Sequence, residues 1–492
     1  MSRIPLVLVV LFVTLSACEP APSGDGEESL IDLQPCRLRG GSGLTSVPAE
    51  CGRLTITENP AEKNGKTIEL FVARVPALNP RFPDKAFTLL AGGPGQAATE
   101  FYADYASIFD RIHRSRDIVL VDQRGTGQSN MLDCPSDETD VLNFSAEYVA
   151  TLAADCLAEL PGDPRYYTTS VAVDDLDAVR RALGYATLDI YGASYGTRVA
   201  QHYLRRYPDK TRSVILDGVV PAEMILGPGI AVDAQAALDA IFLRCKNEPH
   251  CNDSFPEIGQ AFARLSETLR DAAVELTLPS PLSGEMIDVT LDYNSFAGAV
   301  RLLSYTPTTA ALLPLLLYEA SENGNWQPLA AQAQMAMLSL SDSLSEGMHN
   351  AVVCTEDAPF FDVDADERRE LAKTYLGQLQ LESLEAICEI WPAGIIDEDF
   401  HVPLNADVPV MVLSGSVDPV TPPRYGAQAA QHLPNSMHIV ADGHGHGVLT
   451  RACVAELIAE FVETASFTDL DTACVDENIS APFFTSFSGP EP

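Results

Sequence analysis

A serine flanked by glycines marks the point of this 492-residue chain with the strongest signature of covalent chemistry. In Gly192-Ala193-Ser194-Tyr195-Gly196, a run typical of a strand precedes the motif and a run typical of a helix follows it. A sharp strand-to-helix turn strains the serine backbone, leaves no room for side chains two residues away, and points the helix N-terminus at the hydroxyl. Ser194 is therefore our candidate nucleophile, with a simple turn serine as the alternative.

A histidine near the end of the chain is the expected partner, because a serine hydroxyl is a poor nucleophile without a base. The order serine, acid, histidine would place this base behind the last strand of the fold. The segment "ADGHGHGVLT" offers His444 and His446 in that position. A glycine-rich loop would let either imidazole reach the serine, so the residues alone leave both open.

An aspartate should lie between the serine and the histidine, to hold the imidazole in the correct tautomer. Asp418, in "VMVLSGSVDPVTPP", directly follows a predicted strand. Asp217, in "ILDGVV", is the rival because it also follows a strand. Its loop leads into a predicted insertion, and we therefore prefer Asp418.

Two main-chain N–H groups are candidates for stabilising an oxyanion. The segment "LLAGGPGQA" ends an early predicted strand, and its glycines allow the backbone to approach a substrate closely. Pro94 has no N–H, so Gly93 is the better donor. The second expected donor is the N–H of Tyr195, directly after the nucleophile. The alternative for the glycine-rich segment is a plain turn.

The hydrophobic pattern predicts an α/β domain that positions these residues. Buried strands are predicted at "AFTLLAGG", "RDIVLVDQRG", "LDIYG" and "SVILDGV", and helical segments such as "SVAVDDLDAVRRALGY" alternate with them, which indicates a parallel sheet. Strand signals nearly vanish over 221–405, where segments such as "IGQAFARLSETLRDAAVEL" predict helices. The strand pattern returns from Val408. We predict an α/β core in two parts, 36–220 and 406–492, separated by a mostly helical cap over 221–405.

The first residues predict export. The apolar run in "MSRIPLVLVVLFVTLSAC" is too short to span a membrane and suits a signal peptide. The segment Leu15–Cys18 resembles a bacterial lipobox, which predicts a lipid on the Cys18 sulfur. We expect a signal peptide and lipobox over 1–18, a solvated tether over 19–35, and an exported protein anchored in the bacterial cell envelope. The alternative is a plain secretory signal.

Charge and cysteine content narrow the range of partners. The formal charge of −38, from 69 acidic and 31 basic residues, argues against nucleic acid, which needs a basic face. Apart from Cys18 there are ten cysteines, an even number that suggests disulfides in an exported chain. No cysteine pair has zinc-site spacing backed by histidines, so neither a metal nor a cofactor is expected. The simplest connectivity, which sequence alone leaves open, joins sequence neighbours: Cys36 to Cys51, Cys134 to Cys156, Cys245 to Cys251, Cys354 to Cys388, and Cys453 to Cys474.

Five motifs in a fixed order carry a family resemblance: "AGGPGQ", "DQRGTGQS", "GASYG", "LSGSVDPVTPP" and "GHGHGV". Over roughly 54–457 the chain resembles the α/β-hydrolase peptidases of the prolyl iminopeptidase and tripeptidyl aminopeptidase group. The resemblance implies a mostly parallel central sheet flanked by helices, with a mostly helical cap. It also implies an aminopeptidase that takes peptides with a free N-terminus. We interpret "DQRGTGQS" as structural, a buried arginine with tight turns.

Carried over position by position, the resemblance assigns the nucleophile to Ser194 and the acid to Asp418. The base falls on His446, because the family pattern Gly-x-Gly-His corresponds to the second histidine of the loop. The oxyanion donors fall on Gly93 and Tyr195.

Enzymes of this kind hold the α-amine of the substrate with acidic side chains. Our best candidate is Glu356 in "VVCTED", followed by Asp357 and preceded by Cys354; the alternative is a solvated acidic loop near a disulfide.

Three hypotheses on function follow. The first is an aminopeptidase that releases short N-terminal units, proline-related or tripeptide, through an acyl-enzyme. The second is a carboxylesterase of the same fold, and the third is a non-catalytic binding protein on a hydrolase scaffold. The sequence leaves the residue preference and the oligomeric state open.

Overall fold

The computed structural model describes residues 31–41, 43–134, 146–476 and 480–490. The predicted signal peptide and lipobox, Cys18 included, lie outside these residues. In chain order the strands are β1 (Gln34–Arg39), β2 (Ser46–Thr57), β3 (Thr67–Val75), β4 (Lys85–Leu90), β5 (Asp117–Val121), β6 (Thr187–Ala193), β7 (Thr211–Asp217), β8 (Val274–Pro279), β9 (Met286–Leu291), β10 (Val410–Gly415) and β11 (Ser436–Ala441).

The α-helices, in chain order, are α1 (Ala98–Tyr105), α2 (Asp110–His113), α3 (Ala146–Glu159), α4 (Thr169–Ala182), α5 (Tyr195–Arg206), α6 (Ile230–Asn247), α7 (Pro249–Ser254), α8 (Ile258–Asp271), α9 (Tyr293–Leu303), α10 (Pro307–Asn323), α11 (Gln327–Ser343), α12 (Glu346–Glu356), α13 (Ala365–Leu371), α14 (Leu379–Ile390), α15 (Pro423–Ala430), α16 (Val454–Thr464) and α17 (Ala473–Asp476).

One large sheet organises the molecule, in the order β1-β2-β3-β5-β4-β6-β7-β10-β11. Six of these strands are parallel to one another: β5, β4, β6, β7, β10 and β11. Strands β1, β2 and β3 extend the sheet in antiparallel fashion. Hydrophobic clusters lie on both faces of the parallel part, so its strands are largely buried and mostly apolar. All six residues of β10, VMVLSG, are buried. The predicted mostly parallel sheet is thus present.

Helix α4 illustrates how the local sequence sets an element. Its positions Leu176 and Val179 recur on one face and are at most 4% exposed, which packs that face against the sheet. Gly184 follows the helix with φ of 79°, a backbone conformation that glycine adopts without strain. The predicted helix and its glycine stop therefore match the structure.

The chain between β7 and β10 forms nine helices, α6 to α14, together with the β8–β9 hairpin. Most of this insertion, α6 to α11 together with residues of α13 and α14, shares one hydrophobic cluster, in which Leu238, Phe296, Leu313 and Leu317 are among the most buried members. Helix α12 differs, because its Met348 and Val352 pack into the cluster beneath the central sheet. The insertion therefore combines a separately packed lobe with a helix that belongs to the core.

The prediction of helix through the segment ending "DAAVEL" was wrong at its end. Helix α8 ends at Asp271, and strand β8 begins at Val274. Val274 and Leu276 alternate with polar residues in a period of two, which suits a strand, and β9 supplies an antiparallel partner. Strand signals were too few here to be recognised without the pairing strand.

All five neighbouring cysteine pairs form disulfides, so the simplest connectivity is the one observed. Each bond closes a local loop of 6 to 34 residues and thereby restricts the unfolded chain. Disulfides in such number are typical of proteins exported to an oxidising compartment. In the part of the chain that the structure describes, no helix has the length and apolar character needed to cross a membrane.

The "DQRGTGQS" segment serves the scaffold. The Arg124 guanidinium is 1% exposed and meets both carboxylate oxygens of Asp175, at 2.6 and 2.8 Å. It also donates to the carbonyls of Glu58 and Tyr166. A buried arginine in a tight turn is what the sequence predicted for this motif.

Candidate active site

The predicted catalytic residues and the predicted oxyanion donors all follow the carboxyl ends of parallel strands. Gly93 follows β4, Ser194 follows β6, Asp418 follows β10 and His446 follows β11. Strands β5 and β6 lie on opposite sides of β4, so the strand order reverses there. A crevice outside the carboxyl ends of the strands at such a reversal is where open α/β sheets bind their ligands.

Ser194 occupies the turn between β6 and α5 with φ of 52° and ψ of −121°, a strained conformation for a residue with a side chain. A Cβ atom at Gly192 would lie 2.4 Å from the Gly196 carbonyl oxygen. A Cβ at Gly196 would lie 2.1 Å from the carbonyl oxygen of Leu90. Glycine is therefore required at both positions. The sequence predicted this requirement, since side chains two residues from the serine would collide in such a turn.

His446 and Asp418 form a direct pair. The His446 Nδ1 atom lies 2.9 Å from Asp418 Oδ2 and 3.1 Å from Oδ1. The Asp418 carboxylate, 2% exposed, also accepts the N–H groups of Val420 and Thr421 and the Thr421 hydroxyl. An ionised carboxylate with this many donors can fix both the orientation and the tautomer of an imidazole.

Electrostatics within the pair favour an ionised acid and a basic imidazole. Burial tends to raise the pKa of Asp418, but the His446 imidazole and the donors around the carboxylate outweigh it and hold the pKa below its ordinary value. Burial tends to lower the pKa of His446, but the Asp418 carboxylate outweighs it and the pKa is raised. The imidazole is therefore a stronger proton acceptor than an isolated histidine.

Ser194 and His446 both lie against the backbone of the segment Asp217–Gly218. The Ser194 N–H donates to the Asp217 carbonyl at 2.8 Å. A Cβ atom on the next residue, Gly218, would lie 3.2 Å from Cε1 of His446. The absence of a side chain at Gly218 thus leaves space for the imidazole beside the turn that carries the serine.

Asp217, the rival acid, has a different role. Its carboxylate is 1% exposed and accepts the N–H groups of Val448 and Leu449 and the hydroxyl of Tyr191. Burial raises the pKa of Asp217 to about 6, although these donors oppose the shift. Since Val448 comes two residues after His446, Asp217 anchors the loop that presents the imidazole.

His444 lies in the same loop but takes no part in the pair. It is 8% exposed, and burial lowers its pKa. Its carbonyl accepts the N–H of Val417, the residue before Asp418. The first histidine thus joins the two loops through its backbone, while the second carries the carboxylate contact.

The glycine-rich loop after β4 packs directly on the nucleophile. A Cβ atom at Gly92 would lie 3.4 Å from the Ser194 Cβ. The Gly92 N–H donates to the Gln96 side chain, which leaves Gly93, with φ of 101°, as the donor candidate in this loop. Tyr195 is the first residue of α5, so its N–H belongs to the helix N-terminus that faces the serine.

The cap contributes contacts that the sequence did not indicate. The carbonyl of Tyr305, two residues after α9, accepts the main-chain N–H of His446 at 2.7 Å. The Tyr305 ring also contacts the imidazole ring edge-on. At the start of α12, the Ser345 N–H donates to the carbonyl of Gly95 in the glycine-rich loop. A tyrosine in a helical region carries no local signature of this role, so only the tertiary structure identifies it.

The acidic segment at the end of α12 is buried, which rules out the alternative of a solvated loop. Glu356 and Asp357 are both 0% exposed. The Glu356 carboxylate accepts the N–H and hydroxyl of Thr169, at 2.7 and 3.0 Å, and the Thr169 hydroxyl lies 2.7 Å from that of Tyr195. Glu356 is thus two hydrogen bonds away from the side chain that follows the nucleophile.

Two acids share one cation in this network. Arg198 on α5 meets both Asp357 oxygens at 3.0 Å, whereas its nearest approach to Glu356 is 3.7 Å. Burial raises the pKa of Glu356 to about 8, and the attraction of Arg198 only partly opposes this. If Glu356 is ionised, the network carries an excess negative charge.

Comparisons with known proteins agree with this architecture. Residues 85–239 match the family model described as alpha/beta hydrolase fold, and residues 373–474 match the model described as TAP-like protein. The fold class and the family resemblance predicted from the sequence are thereby confirmed.

Three curated relatives extend along most of the chain. Serine protease Hip1 of Mycobacterium tuberculosis is 25% identical over 477 residues, which cover 88% of each chain. Tripeptidyl aminopeptidase of Streptomyces coelicolor is 25% identical over 472 residues, covering 88% of this chain and 84% of that protein. Carboxylesterase B of Mycobacterium tuberculosis is 29% identical over 434 residues, covering 81% and 80% respectively. The names of all three support a hydrolase.

Proposed function

We propose that this chain, which has the α/β-hydrolase fold and matches the TAP-like family, is a serine aminopeptidase that releases short N-terminal units from peptides. Ser194 attacks the scissile carbonyl, His446 takes its proton and later donates it to the leaving amine, and Asp418 orients the imidazole. Water then hydrolyses the acyl-enzyme. The observation that carries this proposal is the Asp418–His446 pair beside a strained serine at the carboxyl ends of the parallel strands.

The oxyanion of the tetrahedral intermediate is stabilised by the N–H groups of Gly93 and Tyr195. The contact of the glycine-rich loop with Ser194 supports the first donor, and the position of Tyr195 at the start of α5 supports the second. Donors fixed in place before the reaction stabilise developing charge without a cost of reorganisation.

Peptide substrates are favoured by the relatives named as a serine protease and a tripeptidyl aminopeptidase. Glu356 is proposed to bind the α-amine of the substrate. The network of two carboxylates and one guanidinium supports this role, because Arg198 already compensates Asp357, and an ammonium group beside Glu356 would favour its ionised form and balance that charge. Glu356 is completely covered, so the amine reaches it only where the substrate displaces part of that covering.

Export and lipid anchoring through Cys18 belong to the same proposal. The five disulfides support export. The lipobox rests on the sequence alone.

A panel of fluorogenic substrates tests the activity. It contains peptides of one to four residues with free N-termini, the same peptides acetylated, and simple esters. We expect hydrolysis of free peptides, with a loss of roughly a hundredfold or more on acetylation, since a charge-assisted contact to a buried acid is removed. Equal rates for free and acetylated peptides would contradict the aminopeptidase.

A carboxylesterase is the second candidate, favoured by the relative of that name. In the same panel it would hydrolyse esters and leave every peptide intact. A protein that hydrolyses no substrate and does not react with a fluorophosphonate would instead support the binding-protein hypothesis.

A further inference from the structure

A cation of the cap lies close to His446 and has no carboxylate partner among the described residues. Arg301, near the end of α9, has its guanidinium carbon 5.6 Å from the centroid of the Tyr305 ring. The same ring lies 5.2 Å from the His446 ring, centroid to centroid. Arg301 tends to lower the pKa of His446, opposing the larger influence of Asp418, which agrees with this proximity.

Within the described residues, the lack of a carboxylate partner distinguishes Arg301 from the most deeply buried arginines. Arg116, Arg124 and Arg198 are each 1% exposed or less, and each meets an aspartate. Among the residues that the structure describes, no aspartate or glutamate lies within ion-pair distance of Arg301. Its Nε atom is buried and has no hydrogen-bond partner there.

Tyr375 provides a second unpartnered donor in the same region of the cap. The residue is 3% exposed, and within the described residues its hydroxyl has no hydrogen-bond partner. The hydroxyl of Tyr293, at the start of α9, donates to the main-chain carbonyl of Tyr375, so Tyr375 lies against the helix that carries Arg301. Burial raises the pKa of Tyr375, and the Arg301 cation opposes this shift, which agrees with that placement. Buried donors without acceptors are costly, so an acceptor oxygen from a ligand would remove this penalty.

The chemistry of these donors selects an anion. A guanidinium stays protonated and presents several N–H groups in a planar fork that matches a carboxylate. A tyrosine hydroxyl can add a further donor. In a chain with 69 acidic and 31 basic residues, long-range repulsion disfavours an anionic ligand, so a local cation is the feature that would allow one to bind.

The position beside His446 indicates which half of the substrate is involved. In the proposed mechanism, on which this inference rests, His446 donates its proton to the leaving amine. Arg301, which stacks on the tyrosine ring beside this imidazole, would then line the leaving-group side of the scissile bond. We propose that Arg301 and Tyr375 form a subsite for a carboxylate in that half, either the C-terminal carboxylate of a short peptide or an acidic side chain next to the scissile bond.

Three matched substrate pairs test the subsite. The first is a peptide with a free or an amidated C-terminus. The second is an amidated peptide with Glu or Gln directly after the scissile bond. The third is the acetate ester of 4-hydroxybenzoate or of 4-hydroxybenzamide, which needs no peptidase activity. We expect the carboxylate to be favoured by about tenfold or more in kcat/KM in the first or second pair, which also identifies its source, and in the same sense in the ester pair.

Four variants locate the effect. Arg301→Gln should reduce the ratio of kcat/KM for the carboxylate substrate to kcat/KM for the amide substrate to near one. The change should arise mainly in KM, because an interaction common to the ground state and the transition state is lost. Arg301→Lys should keep part of the ratio, since it restores the charge but not the fork. Tyr375→Phe should lower the ratio several-fold. The control is Arg264→Gln, which removes an exposed cap cation paired with Glu322 and should leave the ratio unchanged.

The outcomes separate the subsite from the proposed function. Cleaved peptides with a ratio near one in wild type would overturn the subsite alone. A carboxylate preference in the ester pair with no peptide cleaved would support the subsite and overturn the peptidase, and hydrolysis of neither would overturn both. If Arg301 acts only on the pKa of His446, Arg301→Gln would shift the pH profiles of both members of a pair equally and keep their ratio, which would also overturn the subsite.

Discussion

The sheet side and the cap side of the candidate site are held in different ways. On the sheet side, each residue follows a strand of one sheet, and short buried hydrogen bonds fix its position, as those of Thr421 fix Asp418. On the cap side, α6 to α11 pack around a hydrophobic cluster that is separate from those on the sheet and is shared with α13 and α14. The candidate chemical groups thus belong to the sheet framework, and we propose that the separately packed region selects the substrate.

An ion pair joins the cap side to the sheet side. Asp233, in the first turn of α6, lies 2.5 Å from Arg424 and accepts the hydroxyl of Tyr425. Arg424 and Tyr425 lie in the first turn of α15, a few residues after Asp418. Removal of a sheet-side group should therefore abolish chemistry, and removal of a cap-side group should change which substrates react.

The largest expected effect separates the two histidines on the sheet side. His446→Ala should lower kcat/KM by roughly three orders of magnitude or more, because the base and its contact with Asp418 are lost. His444→Ala should cost far less, since His444 contacts the Asp418 loop through its main-chain carbonyl. Steady-state kinetics of both folded variants provide the measurement, and a reversed order would move the base to His444.

The pH dependence of the wild type tests the electrostatics of the sheet side. The proposed mechanism needs neutral His446, and the Asp418 carboxylate raises the pKa of that imidazole. The rate should therefore fall as the pH decreases, tenfold per unit, with a midpoint above the ordinary value of about 6.5. A kcat/KM profile with its acid limb centred below 6.5 would show that the pair does not act as the structure indicates.

Much of the sheet side could be predicted from sequence because its signals are local. The glycines around Ser194, the strand before Asp418 and the glycine-rich loop of His446 each lie within a few residues of the group they position. Tyr305 and Arg301 lie in helical segments whose pattern reports only burial. Their nearness to His446 depends on how the cap packs, and no short stretch of sequence contains that information.

A smaller effect is expected for Glu356→Gln in α12, the helix of the insertion that packs into the cluster beneath the central sheet. If Glu356 binds the α-amine, the neutral amide should weaken the free peptide and narrow the rate gap between free and acetylated substrates, while simple esters react as before. The control is Glu370→Gln, which changes an exposed acid that pairs with Lys373. An unchanged gap would remove Glu356 as the anchor and direct the search to Asp357 or another cap acid.

The same variant has a separate readout in stability. Burial raises the pKa of Glu356 to about 8, above its ordinary value near 4.5, so the folded state binds this proton more tightly than the unfolded state. Its contribution to stability is complete below pH 4.5 and is lost as the pH rises to about 8. Urea unfolding at pH 5 and pH 8 should show a smaller decline in Glu356→Gln than in wild type.

The smallest effect on catalysis is expected at the predicted anchor. Cys18→Ser should release the protein from membranes and leave the activity per molecule unchanged, because the tether lies far in sequence from every candidate site residue. Fractionation of cells followed by assay of the soluble protein would show this. Undiminished membrane association would indicate another means of attachment.

Covalent labelling tests the assignment of Ser194 most directly. A fluorophosphonate should add once to the folded wild type, and peptide mapping by mass spectrometry should place the adduct on Ser194. A peptide with a free N-terminus should slow the labelling, and Ser194→Ala should neither be labelled nor retain more than about a thousandth of the activity. Labelling at another residue, or near-normal turnover by folded Ser194→Ala, would contradict the proposed catalytic triad.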